Sequence, residues 1–407
     1  MGFTNPAMPW SELEARLSNG RAPSSHAWNG GGDGPALGAK RQPFEPVLGR
    51  ATGAVPYAEL HCRSNFSFLE GASHPEELAE TAAALGLDAL ALTDRNGLYG
   101  VVRFAEAARA VGLPTVFGTE LSCSGTGDIV LLARGPQGYA RMARAISEGQ
   151  LAGSKGAPVF SIGGVADTVR GSCAVLTGGT TGAVPLALLH HGPAAAEQVL
   201  GAMVDSFGAD NVFVELWDHG DPVDTVRNDH MVRLAARFDL ECTASNHVSY
   251  ATPSQHRLAT ALTAVRHRSG LDQVDHLLTP AATACLRSGA EMDRRFARWP
   301  GTVQRAADLA SQLAFDLSLV APKLPPFPCP DGHDEMSWLR ELVLRGARRR
   351  YGDRPDDGAE DLSLRARAWR TIDHELAIIE TLGFPGYFLV VWDIVRFCEE
   401  NGILCQG

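Results

Sequence analysis

Between residues 57 and 268 the chain alternates short apolar runs with stretches of helical period, and this alternation constrains the fold more than any other feature. The apolar runs at 89–93, 115–121, 129–133, 173–177, 212–216 and 242–245 read as strands. The stretches 73–85, 99–111, 136–148, 194–207, 225–238 and 253–268 read as helices with one apolar face. Repeats of this kind argue for a parallel sheet. About seven units in roughly 200 residues fit a barrel better than a short open sheet. Local punctuation agrees: Ser73-His74-Pro75-Glu76 reads as a helix start, with Ser73 as N-cap and Glu76 at capping-box spacing.

The flanks differ. Residues 1–55 open with a short amphipathic piece at 10–17. Gly/Pro/Ser-rich sequence follows that cannot bury enough apolar surface to offset ordering, so a flexible extension is expected. After Leu271 the strand signals fade. Residues 291–298, 303–313, 337–351, 362–381 and 386–397 read as helices, with a proline-rich connector at 324–330. The expected organisation is an extension at 1–55, an α/β barrel domain at 56–270, and a mainly helical region at 271–407.

No apolar run approaches the ~20 residues of a membrane span. Residues 1–10 lack a signal-peptide pattern, so a cytoplasmic protein without membrane partners is the simplest expectation. The eight cysteines are scattered without Cys-x-x-Cys spacing and read as reduced, buried thiols. The net charge of −11 lacks the overall basic footprint of nucleic-acid binding. Residues 340–370 are a local exception. There Arg345, Arg348, Arg349 and Arg350 are candidate phosphate contacts, against the alternative of a solvated helix face interleaved with Glu341, Asp353 and Asp356.

Polar clusters sit at the ends of the apolar runs, where a parallel barrel places its chemistry. They are Glu59-Leu60-His61-Cys62-Arg63 with Glu70-Gly71, Thr93-Asp94-Arg95, and Gly118-Thr119-Glu120. Imidazoles and carboxylates converging from several strand ends suit divalent metals. Arginine does not; it keeps its proton and offers no lone pair. His190, His191 and His219 lack partners at ligand spacing and read as surface or helix-terminal. Asp393, Glu399 and Glu400 read as a solvated helix face.

These clusters resemble the polymerase-and-histidinol-phosphatase (PHP) domain at the N-terminus of bacterial DNA polymerase III alpha subunits. The resemblance covers nearly the whole chain and points to the error-prone branch of that family. It is carried by Pro56-Tyr57-Ala58-Glu59-Leu60-His61-Cys62, Ser73-His74-Pro75-Glu76-Glu77-Leu78 and Tyr99-Gly100-Val101-Val102-Arg103-Phe104. It extends to the leader, Pro9-Trp10-Ser11-Glu12 and Trp28-Asn29-Gly30-Gly31, and to Leu382-Gly383-Phe384-Pro385-Gly386-Tyr387. A PHP-type (β/α)7 distorted barrel, followed by the start of a palm and thumb region, is the implied fold.

The family pattern holds two or three metals, and the resemblance carries it over position by position. His61, Glu70 and Glu120 retain ligand character, with Asp128 and His247 as candidate substitutes. Arg63 and Arg95 stand where histidine belongs, Gly179 falls at a Cys-or-His position, and Ser249 replaces the last histidine. The expectation is a vestigial site without bound metal, in which Arg63 and Arg95 pair with Glu70 and Glu120. The family activity implied is lesion-tolerant, DNA-directed DNA synthesis. It uses Mg2+, a primer-template, deoxynucleoside triphosphates and other translesion or replication proteins. The chain reaches Gln406-Gly407 without an Asp-x-Asp pair in its tail, so the palm carboxylates are missing and the chain alone is expected to be inactive. The alternatives are a stand-alone metal-dependent PHP phosphoesterase and a non-catalytic structural or partner-docking module.

Overall fold

The computed structural model describes residues 44–274, 277–278, 281–319, 326–355 and 364–405. The expected flexible extension falls mostly outside them, as do the leader motifs. The chain divides between Val320 and Ala321 into two compact units. The first unit therefore runs past residue 270, where sequence placed a boundary.

Seven strands lie side by side in sequence order: β1 (Ala58–Glu59), β2 (Ala89–Leu92), β3 (Thr115–Cys123), β4 (Gly127–Ala133), β5 (Cys173–Leu176), β6 (Val212–Leu216) and β7 (Cys242–Ala244). Beyond β1 and β7 the two edges meet through a parallel bridge, Cys62 to Val248. Arg63 N donates to Val248 O at 2.9 Å and Val248 N to His61 O at 2.8 Å, so the sheet curls into a distorted barrel. The strands are buried on both faces, as a barrel wall clothed in helices requires.

The expectation of a parallel sheet fails at one strand. β4 runs antiparallel to both β3 and β5, with Glu120 opposite Val130 and Leu132 opposite Ala174. No helix separates β3 from β4; a tight turn through Gly125 and Gly127, both at positive φ, sends the chain straight back.

The helices of this unit are α1 (Pro75–Ala84), α2 (Val101–Val111), α3 (Gly135–Ala152), α4 (Ile162–Val169), α5 (Ala183–His191), α6 (Pro193–Phe207), α7 (Asp224–Arg237), α8 (His256–His267), α9 (Gly289–Arg295) and α10 (Thr302–Leu313). Sequence reading missed α4 and α5. The cap of α1 also differs: His74 is the N-cap and Glu77 closes the box, one residue later than expected. Ser73 is engaged elsewhere, its hydroxyl donating to Gln255 at 2.7 Å and accepting from Ala251 N. α10 packs on β7, β1 and β2, covering the seam where the barrel closes. Its inward residues Val303, Ala306, Leu309, Ala310 and Leu313 are all buried.

The second unit contains α11 (Glu335–Tyr351), α12 (Leu364–Leu382) and α13 (Pro385–Glu400) around a small core of Leu339, Leu376 and Leu389. Asp334 caps α11, accepting from Ser337 N at 2.7 Å. No helix among the described residues is long and apolar enough to cross a membrane.

Candidate functional site

The strand ends of the first unit bring His61, Arg63, Arg95, Glu120, Glu215 and His247 together. Hydrogen bonds fix the strand ends around them. Thr93 Oγ1 accepts from Cys62 N at 3.0 Å, joining the first cluster to the second. Asp94, buried, accepts from Ser64 N and from the hydroxyls of Ser64 and Ser67. It therefore holds the loop carrying Glu70.

Arg63 and Arg95 organise the carboxylates. Arg63 donates to Glu120 through Nε (2.5 Å to Oε2) and Nη2 (2.6 Å to Oε1), and its Nη1 lies 3.3 Å from Glu70. Arg95 lies 3.5 Å from Glu70 and 3.0 Å from Asp128. A third guanidinium, Arg266 of α8, reaches Glu70 at 2.9 Å. The Glu120 side chain is fully buried. Burial alone would raise its carboxyl, but the Arg63 charge, with His61 behind it, outweighs that and holds it well below the usual range. Desolvation and the neighbouring Glu120 charge instead push Asp128 up, against Arg95.

Behind this network lies a second buried layer. His61 Nδ1 donates to Glu215 Oε1 at 2.8 Å, and Ser245 Oγ donates to the same oxygen. Burial disfavours a charged His61, yet Glu215 and Glu120 outweigh it and raise the imidazole to about 9. Glu59 accepts from Tyr57 OH, His61 N and Asn246 N, and burial still lifts it to about 7. Burial, followed by the His61 and Arg63 charges, holds His247 well below its usual value, so its ring is neutral.

The remaining positions fall as follows. Gly179 lies directly against the His247 ring. Ser249 O accepts from Ala72 N at 2.7 Å, and Ser249 N donates to Ala284 O. His190 and His191 are exposed at the end of α5, as expected. His219 corrects the surface reading: it is buried, its Nε2 is 2.7 Å from Asn246 O, and its ring stacks parallel to His247. Asp224, accepting from His219 N, tucks that loop inward. Sequence reasoning missed Glu215 and Arg266, and placed Glu59 in the first cluster without giving it a role. An acid inside an apolar run, as in Val212-Phe213-Val214-Glu215-Leu216, was the available signal for Glu215.

The donors decide which metals the site suits. Glu70 and Asp128 are engaged by guanidinium groups and Gly179 has no donor, so a cluster of two or three ions does not fit. A single ion does. His61, Glu120 and His247 each offer a ligand atom, and these lie within 4.8 Å of one another. Nε2 of His247 is buried without a hydrogen-bond partner, and Nε2 of His61 lies 3.6 Å from Glu120 Oε2. A cation held there would supply Lewis acidity, and it would have to displace the proton on His61.

In the second unit, Arg345 pairs with Glu341 and Arg340 with Glu380. Arg340, Arg345 and Arg348 line a cavity of about 550 Å³ with Ser337, Glu341 and Glu380. Arg349 and Arg350 are exposed.

The barrel and its strand-end cluster define a PHP-type domain, and the family described as "PHP domain" matches residues 59–219. The "Bacterial DNA polymerase III alpha NTPase domain" family matches residues 337–407. The chain thus resembles two parts of bacterial DNA polymerase III alpha proteins, and the relatives it matches along its whole length are named error-prone DNA polymerases. It is 47% identical to the error-prone DNA polymerase of Mycobacterium bovis over the whole of this chain and 38% of that protein. It is 45% identical to that of Nocardia farcinica over the whole of this chain and 40% of that protein. The chain thus spans about two fifths of the length of these relatives. Among solved structures, an amidohydrolase from Chromobacterium violaceum with bound sulfate and no metal aligns at 19% identity and a TM-score of 0.32. That alignment covers 48% of this chain and 88% of the other.

Proposed function

We propose that this chain is the N-terminal portion of an error-prone, DNA-directed DNA polymerase acting in damage-induced translesion synthesis. The observation that carries this reading is the identity of 45–47% along the whole chain to proteins named error-prone DNA polymerase. The reaction is attack of a primer 3′-hydroxyl on a deoxynucleoside triphosphate, with pyrophosphate leaving and Mg2+ bound by carboxylates outside these 407 residues. Its partners are primer-template DNA and other translesion or replication proteins, in the cytoplasm. The isolated chain does not catalyse the reaction. A primer-extension assay tests this: no templated product is expected from the chain alone, and templated synthesis by it would refute the assignment of roles.

Within that protein the PHP barrel is a structural module whose metal cluster has been replaced by ion pairs. The engagement of Glu70, Glu120 and Asp128 by Arg63, Arg95 and Arg266 supports this against a multi-metal phosphoesterase. Arg345, Arg348, Arg349 and Arg350 contact nucleic-acid phosphates. Removing Arg348, Arg349 and Arg350 together should weaken DNA binding at low salt and flatten its salt dependence by about one unit of slope per lost contact.

A further inference from the structure

We propose that the cavity on α11 seats DNA-backbone phosphates, that Arg340 belongs to it, and that Glu341 and Glu380 are built-in competitors which incoming phosphates displace. This rests on the reading of α11 as a DNA-contacting helix. It adds which residues limit that contact and how.

The first observation is where the cavity lies. Ser337, Arg340, Glu341, Leu344 and Arg348 recur at helical spacing along α11, on the side away from the buried Leu339 and Ala347. Glu380 of α12 joins them around an opening of about 550 Å³. The opening therefore sits on a helix face that the core of this unit does not use. Arg340 and Arg348 stand eight residues apart in the sequence, about 12 Å along a helix axis. One strand of duplex DNA advances about 3.4 Å per phosphate, so this row spans several phosphates and suits a polyanion over a single free phosphate.

The second observation is how the charges are paired. Arg340 Nη2 lies 3.2 Å from Glu380, and Arg345 Nη2 donates to Glu341 Oε1. Asp334, the remaining acid of the lining, is engaged as the N-cap of α11. Arg348 is exposed and makes no ion pair among the described residues. Two of the three guanidinium groups around the opening are thus already occupied by carboxylates of the same unit.

The third observation is that these carboxylates are displaceable. The four side chains of the two pairs are 43–64% exposed. Ion pairs so exposed are weak and screened by salt. A guanidinium fork receives a phosphate in the same two-pronged geometry as a carboxylate. Glu341 also lies 3.3 Å from His333 Nε2, so it keeps a partner when Arg345 leaves it. The two acids compete with phosphate without shutting it out.

The test follows the fluorescence anisotropy of a labelled primer-template duplex with the whole chain between about 50 and 200 mM salt. Glu341→Gln/Glu380→Gln, shown folded by circular dichroism, should bind about three- to twentyfold tighter at low salt, the combined effect of two weak pairs. Its salt dependence should steepen by about one to two units of slope. Asp205→Asn/Asp239→Asn removes the same number of charges from exposed positions of the first unit and should change binding by less than about twofold. Adding Arg340→Ala and Arg345→Ala to the glutamine variant should abolish its gain. Tripolyphosphate at the concentration of the duplex should not release it; release would overturn the choice of DNA over a free polyphosphate. Wild-type binding without a gain in the glutamine variant, an equal gain in the control, or a gain that survives loss of both arginines would each overturn the displacement and leave the DNA reading of α11 intact. Absence of binding by the wild type and the glutamine variant alike would overturn that reading, and this proposal with it.

Discussion

Arg63 and Glu120 are joined by two hydrogen bonds, Nε to Oε2 at 2.5 Å and Nη2 to Oε1 at 2.6 Å, with the Glu120 side chain fully buried. Bidentate guanidinium–carboxylate contacts are among the strongest polar contacts in proteins. Here one stands at strand ends where the family pattern expects an imidazole and a metal.

Breaking this pair from one side should be expensive. Arg63→Met leaves a buried carboxylate without its cation, and Glu120→Gln leaves a buried cation short of charge. Each is expected to cost about 3–5 kcal/mol in urea unfolding. The double variant should cost clearly less than the sum of the two, because the pair is lost only once. Additive effects would mean that the two groups are not coupled.

The other two guanidinium groups should matter in order of their exposure. The side chain of Arg95 is 22% exposed and that of Arg266 is 45% exposed. Arg266→Ala is expected to fall within about 1 kcal/mol of wild type. Arg95→Ala should fall between Arg266→Ala and Arg63→Met. An Arg266 effect as large as that of Arg63 would contradict this ordering.

The crowding of Gly179 against His247 predicts a suppressor. Gly179→Ala should destabilise by about 1–3 kcal/mol, since the new methyl must displace a ring packed among His61, Trp217 and His219. In a His247→Ala background the same change should cost under about 1 kcal/mol. Thermal unfolding of the four proteins checks this, and equal costs in both backgrounds would refute it.

Stability should fall as pH rises from about 7 to 9 in metal-free buffer, above the range in which the depressed His247 and His219 oppose the fall. Burial raises Glu59 from 4.5 to about 7, against hydrogen bonds from His61 N, Tyr57 OH and Asn246 N. Between those values the folded chain keeps a proton that the unfolded chain has lost. The stability this gives is complete below 4.5 and is lost as pH rises through 7. His61, raised from 6.5 to about 9 by Glu215 and Glu120 against the effect of burial, acts in the same direction at higher pH. Each group contributes at most about 1.4 kcal/mol per pH unit. Glu59→Gln should flatten the lower part of the fall in urea midpoint. A midpoint that climbs across this range would contradict the assignment.

Much of the barrel was legible in the residues, because strands buried on both faces are written as apolar runs. β2, β5 and β6 lie where those runs predict them. The direction of β4 was not legible. The cue was the glycine-bearing turn between two runs, and the helical alternation elsewhere overrode it. The arginines and their carboxylates could be placed by motif, since each sits at a strand end. Glu215 and Arg266 could not: one is an acid within an apolar strand, the other a basic residue on a helix outside the motifs. The close contact between Gly179 and His247 was invisible for a different reason. A sequence reports a missing donor at one position and a substituted donor at another, but not that the two positions touch.

The central claim is that two guanidinium groups do in this barrel what cations would otherwise do. The most direct measurement is the unfolding free energy of Arg63→His/Arg95→His against wild type, in chelator. Neutral imidazoles without metal cannot balance Glu70, Glu120 and Asp128, so a loss of at least about 3 kcal/mol is predicted. Unchanged stability of the double variant under those conditions would contradict the account.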